Sequence, residues 1–159
     1  SHEQLPIDHR PLDGLSDDLI PYQHLIKAGI EGVMLGHVQF PEVDARPASY
    51  SSYWIKGHLK VQMGFGGVVI SDDIAMVGAA GPGSFGQRAE AALNAGADMV
   101  LLCNSPGEIS EVIDHLADYE GDCEIMANLR GRDCRLWSAL RASDFWREAN
   151  RSIRILKNE

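Results

Sequence analysis

Two neighbouring carboxylates, Asp72 and Asp73, follow Ser71 and the short apolar run of residues 67–70. They are the residues of this sequence best placed for catalysis or ligand binding. Glycines followed by three β-branched residues are typical of a strand buried on both faces of a parallel sheet. Catalytic and ligand-binding groups collect at the carboxyl ends of such strands. No basic residue lies closer in sequence than Lys60 or Arg88. The pair is therefore a candidate for catalysis or ligand binding, and the alternative is that it caps the next helix.

Composition narrows the classes of function. The chain has 159 residues, 45% of them hydrophobic, as expected for one soluble domain. It carries 14 basic and 23 acidic residues, a net charge of −9, which argues against nucleic acid or an anionic membrane as partner. No apolar run approaches the roughly 20 residues of a membrane-spanning helix. Cys103, Cys123 and Cys134 are an odd number without metal-ligand spacing, which indicates a reducing compartment and no disulfide framework.

The elements that must position the carboxylates alternate between strands and helices. Residues 1–15 contain two prolines and no periodicity, which predicts a surface loop, and Ser16-Asp17-Asp18 predicts a helix cap. Apolar runs predict strands over residues 32–38, 67–73 and 98–103. Helical spacing predicts helices over residues 19–28, 49–63, 85–95 and 107–119, and a mainly helical tail over 133–157. Strands separated by helices indicate βαβ units and a parallel sheet.

Three parallel strands cannot close a barrel, and alone they leave long unpaired edges. The chain also starts at Ser1 rather than at a methionine. We therefore expect an α/β fold: about three βα units and a helical tail from the carboxyl-terminal part of a TIM (β/α)8 barrel. Residues 1–159 would then be the second part of a single barrel domain whose amino-terminal part is absent from this chain. A complete three-stranded domain is the alternative.

The run GFGGVVISDDIAM resembles the nucleophile strand of glycoside hydrolase family 3, and more narrowly that of the bacterial β-N-acetylglucosaminidases of cell-wall recycling. The segments AGIEGVMLGHVQFPEVDARPAS and GSFGQRAEAALNAGADMVLLCNSP are similar to the family in the same order, so the resemblance covers about residues 1–106. It implies retaining, exo-acting hydrolysis of terminal β-N-acetylglucosamine from muropeptides in the bacterial cytoplasm. It implies neither a metal nor any other cofactor.

The resemblance also assigns roles. Asp72 matches the nucleophile, and Ser1-His2 matches the end of the family's Asp-Ser-His motif, so His2 is the candidate proton donor and acceptor. By composition alone, a histidine at a chain terminus is solvated and inert. The assisting aspartate and the family's sugar-binding residues would precede Ser1. A retaining glycosidase needs a carboxylate on one face of the sugar and a proton donor on the other, and an imidazole can serve as that donor. Asp73 is expected to hold a loop or a cap.

His37 follows its predicted strand and is a weaker candidate for lining the sugar pocket; a buried, hydrogen-bonded structural role is the alternative. The expected partners are the amino-terminal half of the same barrel and an amino-sugar or muropeptide substrate, with no nucleic acid and no membrane. Two other functions stay open at this point. One is Mg²⁺-dependent phosphoryl transfer on the Asp-Asp pair, and the other is a non-catalytic half-barrel without the substrate-holding residues.

Overall fold

The computed structural model describes residues 1–121, 124–131 and 136–156, which belong to two units, Ser1–Leu129 and Arg130–Glu159. The strands of the first unit are β1 (Gly32–Leu35), β2 (Gln39–Phe40), β3 (Asp44–Pro47), β4 (Val68–Asp73) and β5 (Met99–Leu101). Its α-helices are α1 (Ser16–Lys27), α2 (Phe85–Ala95) and α3 (Ile109–His115), and a π-helix covers Tyr53–Gln62. Short 3-10 helices cover Leu12–Leu15, Ala48–Tyr50, Val77–Ala79, Pro106–Glu108 and Glu124–Leu129.

The three predicted strands form one parallel sheet in the order β1-β4-β5. The predicted α/β class, with about three βα units of a TIM-barrel-like fold, is confirmed. β1 and β5 are shorter than predicted. β1 stops at Leu35 because the chain then turns tightly, with the Val38 amide donating to the Gly36 carbonyl at 3.1 Å. The central strand β4 matches its prediction to within one residue and contains both carboxylates of the Asp-Asp pair.

The proline-punctuated segment between β1 and the next helix, QFPEVDARPAS, predicts a loop, and that prediction is wrong. It forms the antiparallel hairpin β2–β3, in which Gln39 pairs with Pro47 and Phe40 with Asp44. The amino-terminal segment is not a free loop either, since Ile7 pairs with Gln39 in an isolated parallel bridge. Two proline-flanked strands of two and four residues are too short to give a periodic signal in the sequence.

The helix predicted over residues 49–63 is present but is not α-helical. It starts with a 3-10 turn and continues as a π-helix, whose last turn is closed by the Met63 amide donating to the His58 carbonyl at 2.9 Å. Its buried side chains are Trp54, Ile55, His58 and Leu59. Spacings of one, three and four residues suit both helix types, so the apolar pattern could not distinguish them.

The predicted start of α1 needs one correction, whereas its predicted end does not. The 3-10 turn Leu12–Leu15 runs directly into α1, and no side chain caps the first turn. The Ser16 hydroxyl instead donates back to the Asp13 carbonyl at 2.6 Å. The predicted stop is present at Gly29, which follows the helix with a φ of 83° that suits glycine.

The two faces of the parallel sheet are covered to very different extents. Val33 and Leu35 on β1 and Val69 and Ser71 on β4 share the face under the helices, and each is at most 9% exposed. Met34 lies on the opposite face and is 53% exposed. Since side chains alternate along a strand, Asp72 lies on the same face as Met34. In a closed barrel, that face is the interior.

The second unit consists of α4 (Trp137–Ala142) and α5 (Asp144–Leu156), so the predicted helical tail is confirmed where it is described. The Trp137 and Trp146 rings pack edge to face at 5.1 Å. Cys123, Cys134 and residues 133 and 157 of the predicted tail lie outside the described residues. Cys103 is an exposed free thiol. In the described part of the chain, no helix combines the length and apolar character needed to cross a membrane.

Candidate active site

The Ser71-Asp72-Asp73 segment places three polar side chains at the carboxyl end of β4, and each has different contacts. The Ser71 hydroxyl is fully buried, donates to the Asp72 carbonyl at 2.7 Å and accepts the Leu101 amide at 3.0 Å. It thereby replaces a main-chain bond where the β4–β5 register shifts. The Ser71 hydroxyl thus links β4 to β5 by a hydrogen bond and is not a reactive hydroxyl.

The Asp73 carboxylate binds main chain on two sides. Its Oδ1 accepts the Ala75 amide at 2.9 Å and the Cys103 amide at 3.0 Å, which ties the loop after β4 to the loop after β5. The loop-holding role expected for Asp73 is confirmed. The 3-10 helix that follows at Val77–Ala79 has no side-chain cap, so Asp73 secures a turn and not a helix start.

The Asp72 carboxylate is left available. It is half-buried, and its one hydrogen bond in the described structure comes from the adjacent Asp73 amide, at 2.8 Å. No ion pair involving either carboxylate forms among the described residues. Such a group can present an oxygen to a reacting carbon.

The two basic residues nearest in sequence are engaged elsewhere. Lys60 binds both oxygens of Asp98 at 3.0 and 3.2 Å, and Asp98 also accepts the Val69 amide at 2.8 Å. This contact joins the amino ends of β4 and β5, at the opposite end of the sheet from Asp72. The Arg88 guanidinium donates to the Ile74 carbonyl at 2.9 Å. Arg88 therefore supports the loop after β4 through main chain.

His37 is buried beside this loop, with 1% of its surface exposed. Its Nε2 lies 3.1 Å from the Asp73 carbonyl oxygen, and its Nδ1 lies 2.7 Å from the Ser49 hydroxyl. A carbonyl only accepts, so Nε2 carries the proton and the Ser49 hydroxyl donates to Nδ1. Burial lowers the pKa of His37, against the opposing effect of Asp72 and Asp73. This geometry matches the structural alternative for His37; a role in lining the sugar pocket stays a prediction.

Ser49 and Tyr50 support the loop after β4, a role that no sequence pattern predicted. The Tyr50 hydroxyl donates to the Ala79 carbonyl at 2.9 Å, and burial raises the pKa of Tyr50 to about 12. The Ser49 hydroxyl also bonds His37, so the 3-10 turn Ala48–Tyr50 holds the loop at two points, one through Ser49 and one through Tyr50. The helical spacing of Tyr50 suggested only an apolar contact. The prolines of the preceding segment were the one sequence signal that the chain changes direction here.

The amino terminus reaches the same loop. The Gly78 amide donates to the Ser1 carbonyl at 2.9 Å, and the Ser1 hydroxyl lies 3.7 Å from the Met76 sulfur. A side chain at Gly78 would come within 3.1 Å of the Ser1 Cβ and 3.3 Å of the His37 Cβ. His2 is exposed and follows directly. The fold thus brings the segment carrying His2 to the loop after Asp72, although no hydrogen bond joins His2 to the Asp72 carboxylate among the described residues.

Comparison of the sequence with known proteins identifies the family of this chain. The profile of the glycosyl hydrolase family 3 N terminal domain matches residues 1–130. The chain belongs to glycosyl hydrolase family 3. It is 40% identical to the beta-hexosaminidase of Thioalkalivibrio sulfidiphilus over 98% of this chain and 46% of that protein. The beta-hexosaminidase of Actinobacillus pleuropneumoniae is 37% identical over all of this chain and 47% of its own length.

A solved structure of the family shares the fold. NagZ from Neisseria gonorrhoeae, crystallised with N-trifluoroacetyl-D-glucosamine, superposes with a TM-score of 0.79 and 32% identity over 91% of this chain and 42% of that one. The chain therefore spans about half the length of the curated relatives it matches. In the described residues, no group of three or more histidine, cysteine or acidic side chains is arranged to hold a metal ion.

Proposed function

We propose that this chain supplies the nucleophile strand of a retaining exo-β-N-acetylglucosaminidase. The enzyme would remove terminal non-reducing β-linked N-acetylglucosamine from peptidoglycan-derived muropeptides in the bacterial cytoplasm. Family membership, the beta-hexosaminidase relatives and the amino-sugar bound to the Neisseria gonorrhoeae structure support this substrate class. The observation that carries the proposal is the division between the two carboxylates: Asp73 is fixed by two amides, whereas Asp72 is available.

In this reaction Asp72 attacks the anomeric carbon from one face of the sugar while His2 protonates the departing glycosidic oxygen. The carbon–oxygen bond to the leaving group breaks as the bond to the Asp72 carboxylate forms. His2 then takes a proton from water, which opens the glycosyl-enzyme and releases the sugar with its configuration retained. The Asp73 amide, 2.8 Å from Asp72 Oδ1, orients the nucleophile and stabilises its anion.

The active form requires the rest of the barrel. We propose that residues 1–159 form the second part of a single barrel domain and that the amino-terminal part supplies the groups that hold the sugar. The exposed sheet face that carries Met34 and Asp72 supports this, because it would be the barrel interior. The phosphoryl-transfer alternative has lost its main support, since Asp73 is occupied by main-chain amides and the family is a glycosidase family.

The test is covalent trapping in this chain assembled with the part of the Thioalkalivibrio sulfidiphilus relative that it does not match. A 5-fluoro derivative of N-acetylglucosaminyl fluoride should label Asp72, as located by peptide mass spectrometry. Asp72→Ala should lower hydrolysis of an aryl β-N-acetylglucosaminide by about a thousandfold or more. The matched control is Asp73→Asn, whose Oδ1 can still accept both amides and which should still be labelled at Asp72.

Labelling at Asp73, or undiminished turnover in Asp72→Ala, would refute the assignment of the nucleophile. An assembled, folded wild-type complex that neither turns over nor becomes labelled would favour the non-catalytic alternative.

A further inference from the structure

Two buried polar atoms of the π-helix, the indole Nε1 of Trp54 and the imidazole Nε2 of His58, have no hydrogen-bond partner in the described part of the chain. Trp54 is 8% exposed and His58 is 9% exposed. Their rings meet edge to face, with the centroids 5.3 Å apart. An unpaired polar atom away from water destabilises a fold, so buried polar groups nearly always have a partner. Two such atoms on neighbouring rings therefore indicate a site for a bound group.

One of the two atoms is a donor and the other is an acceptor. The indole N–H of Trp54 can only donate. The Nδ1 of His58 lies 2.8 Å from the side-chain oxygen of Gln62. Because that oxygen only accepts, the ring proton of His58 is on Nδ1, and Nε2 presents a lone pair. A hydroxyl group can accept from Trp54 and donate to His58 at the same time.

Both side chains line one cavity of about 250 Å³ between α1, β1 and the π-helix. Most of its wall is aliphatic or aromatic and includes Leu15, Leu19, Tyr22, Phe40 and Leu59. One water occupies about 30 Å³, and further waters would find few polar partners on such a wall. The cavity is therefore better suited to a molecule that joins an apolar body to a single hydroxyl than to water alone.

The remaining lining favours a ligand that is aromatic and neutral. The Phe40 ring packs against Trp54 in a tilted arrangement with the centroids 5.1 Å apart, and a further ring can add to such a cluster. The charged side chains that line the cavity bind one another, since the Nη2 of Arg10 lies 2.7 Å from a carboxylate oxygen of both Asp8 and Asp18. Arg10 is therefore engaged and does not serve as an anchor for an anion.

The backbone fixes the donor and the acceptor in advance. Trp54 and His58 lie four residues apart in a π-helix, a rare conformation that is frequent at functional sites. The Ser51 hydroxyl secures the start of this helix, because it accepts the Trp54 amide at 3.1 Å and donates to the Asp44 carboxylate at 2.6 Å. A ligand would thus meet a site that needs little rearrangement, which favours binding.

We propose that this cavity binds a small neutral aromatic alcohol of the phenol class. The hydroxyl of the ligand accepts from Trp54 Nε1 and donates to His58 Nε2, and its ring lies against the apolar wall. Neither Asp72 nor Asp73 lines the cavity. The site is therefore separate from the proposed catalytic site, and the inference does not depend on the proposed function.

The test is fluorine NMR of two probes with this chain assembled with the unmatched part of the Thioalkalivibrio sulfidiphilus relative. Para-fluorophenol should bind saturably and at least about tenfold more tightly than fluorobenzene, because only the hydroxyl pairs with both polar atoms. His58→Phe keeps a ring but removes the acceptor, and should weaken para-fluorophenol about tenfold while leaving fluorobenzene unchanged. The matched control is Trp137→Phe in the second unit, which should affect neither probe.

Thermal unfolding gives a second readout, since saturating para-fluorophenol should raise the Tm of the wild-type assembly and not that of His58→Phe. Equal affinities for the two probes in the wild-type assembly would overturn the inference without recourse to any variant. Unchanged para-fluorophenol binding in a folded His58→Phe assembly would also overturn it. So would an assembly that binds neither probe, because water or a side chain of the added part would then satisfy the two atoms. None of these readouts depends on hydrolysis.

Discussion

At the scale of single residues, the Ser-Asp-Asp segment shows how neighbours of similar chemistry take different roles. Alternation along β4 sends Asp72 to the open face, while the bonds of Ser71 and Asp73 secure β5 and the two loops. Asp72, the proposed nucleophile, lies between two fixed neighbours and is held by the strand rather than by its own contacts. That arrangement leaves its oxygens available, which a reacting carboxylate needs.

His2 is predicted to act as the proton donor and acceptor, and leaving-group dependence tests this role. His2→Ala in the assembled enzyme should reduce hydrolysis of substrates with poor leaving groups by about 100-fold or more, because these need protonation as the bond breaks. Activated aryl glycosides should lose much less in the glycosylation step. Exposed His9 is the matched control, and His9→Ala should leave both rates unchanged. Equal losses for both substrate classes in His2→Ala would contradict the role.

At the scale of elements, the loop after β4 is held by residues from the preceding βα unit. His37 binds the Asp73 carbonyl, Ser49 binds His37, and Tyr50 binds the Ala79 carbonyl. The sequence predicted the strands, α2 and the carboxylate pair because their signals are local: apolar runs, helical spacing and the glycine at the end of α2. It could not predict these long-range hydrogen bonds, since nothing local distinguishes a serine or tyrosine that binds a distant loop.

The buried His37 predicts a loss of stability in mild acid. The unfolded chain takes up a proton on this imidazole near its usual pKa of about 6.5, whereas burial lowers the pKa in the folded state. The stabilisation contributed by neutral His37 is therefore fully present above about pH 6.5. It is lost as the pH falls from there toward the lower pKa of His37 in the folded state. The free energy of unfolding should decrease from about pH 7.5 to 5.5.

His37→Gln is the informative variant, because its amide can donate to the Asp73 carbonyl and accept from Ser49 without titrating. Thermal unfolding measured between about pH 5 and 8 should show a shallower pH dependence for His37→Gln than for the wild-type protein. The charges of Asp72 and Asp73 and the hydrogen bond to the Asp73 carbonyl oppose the effect of burial on the His37 pKa. Identical slopes in the two proteins would show that His37 is not buried in the neutral form.

At the scale of the whole molecule, the first unit combines a well-covered sheet face with an uncovered one. Val69 and Ile55 on the covered side are fully buried, whereas Met34 on the other face is 53% exposed and Tyr22 and Leu25 of α1 are also exposed. A stable single domain does not usually leave the central layer of its fold open on one side. The two curated relatives are about twice the length of this chain, as the coverage indicates.

We therefore predict that residues 1–159 in isolation do not form a stable monomer. The open face and the free edges of β1 and β5 should cause association or aggregation, and the complementary portion of the barrel should relieve it. Native mass measured beside a denaturing gel tests this directly, with the complex as the positive control. A monodisperse particle of 17.4 kDa that unfolds cooperatively without a second chain would contradict the prediction. The three-stranded sheet would then be a complete α/β domain, and Asp72 would lie on its surface instead of inside a barrel.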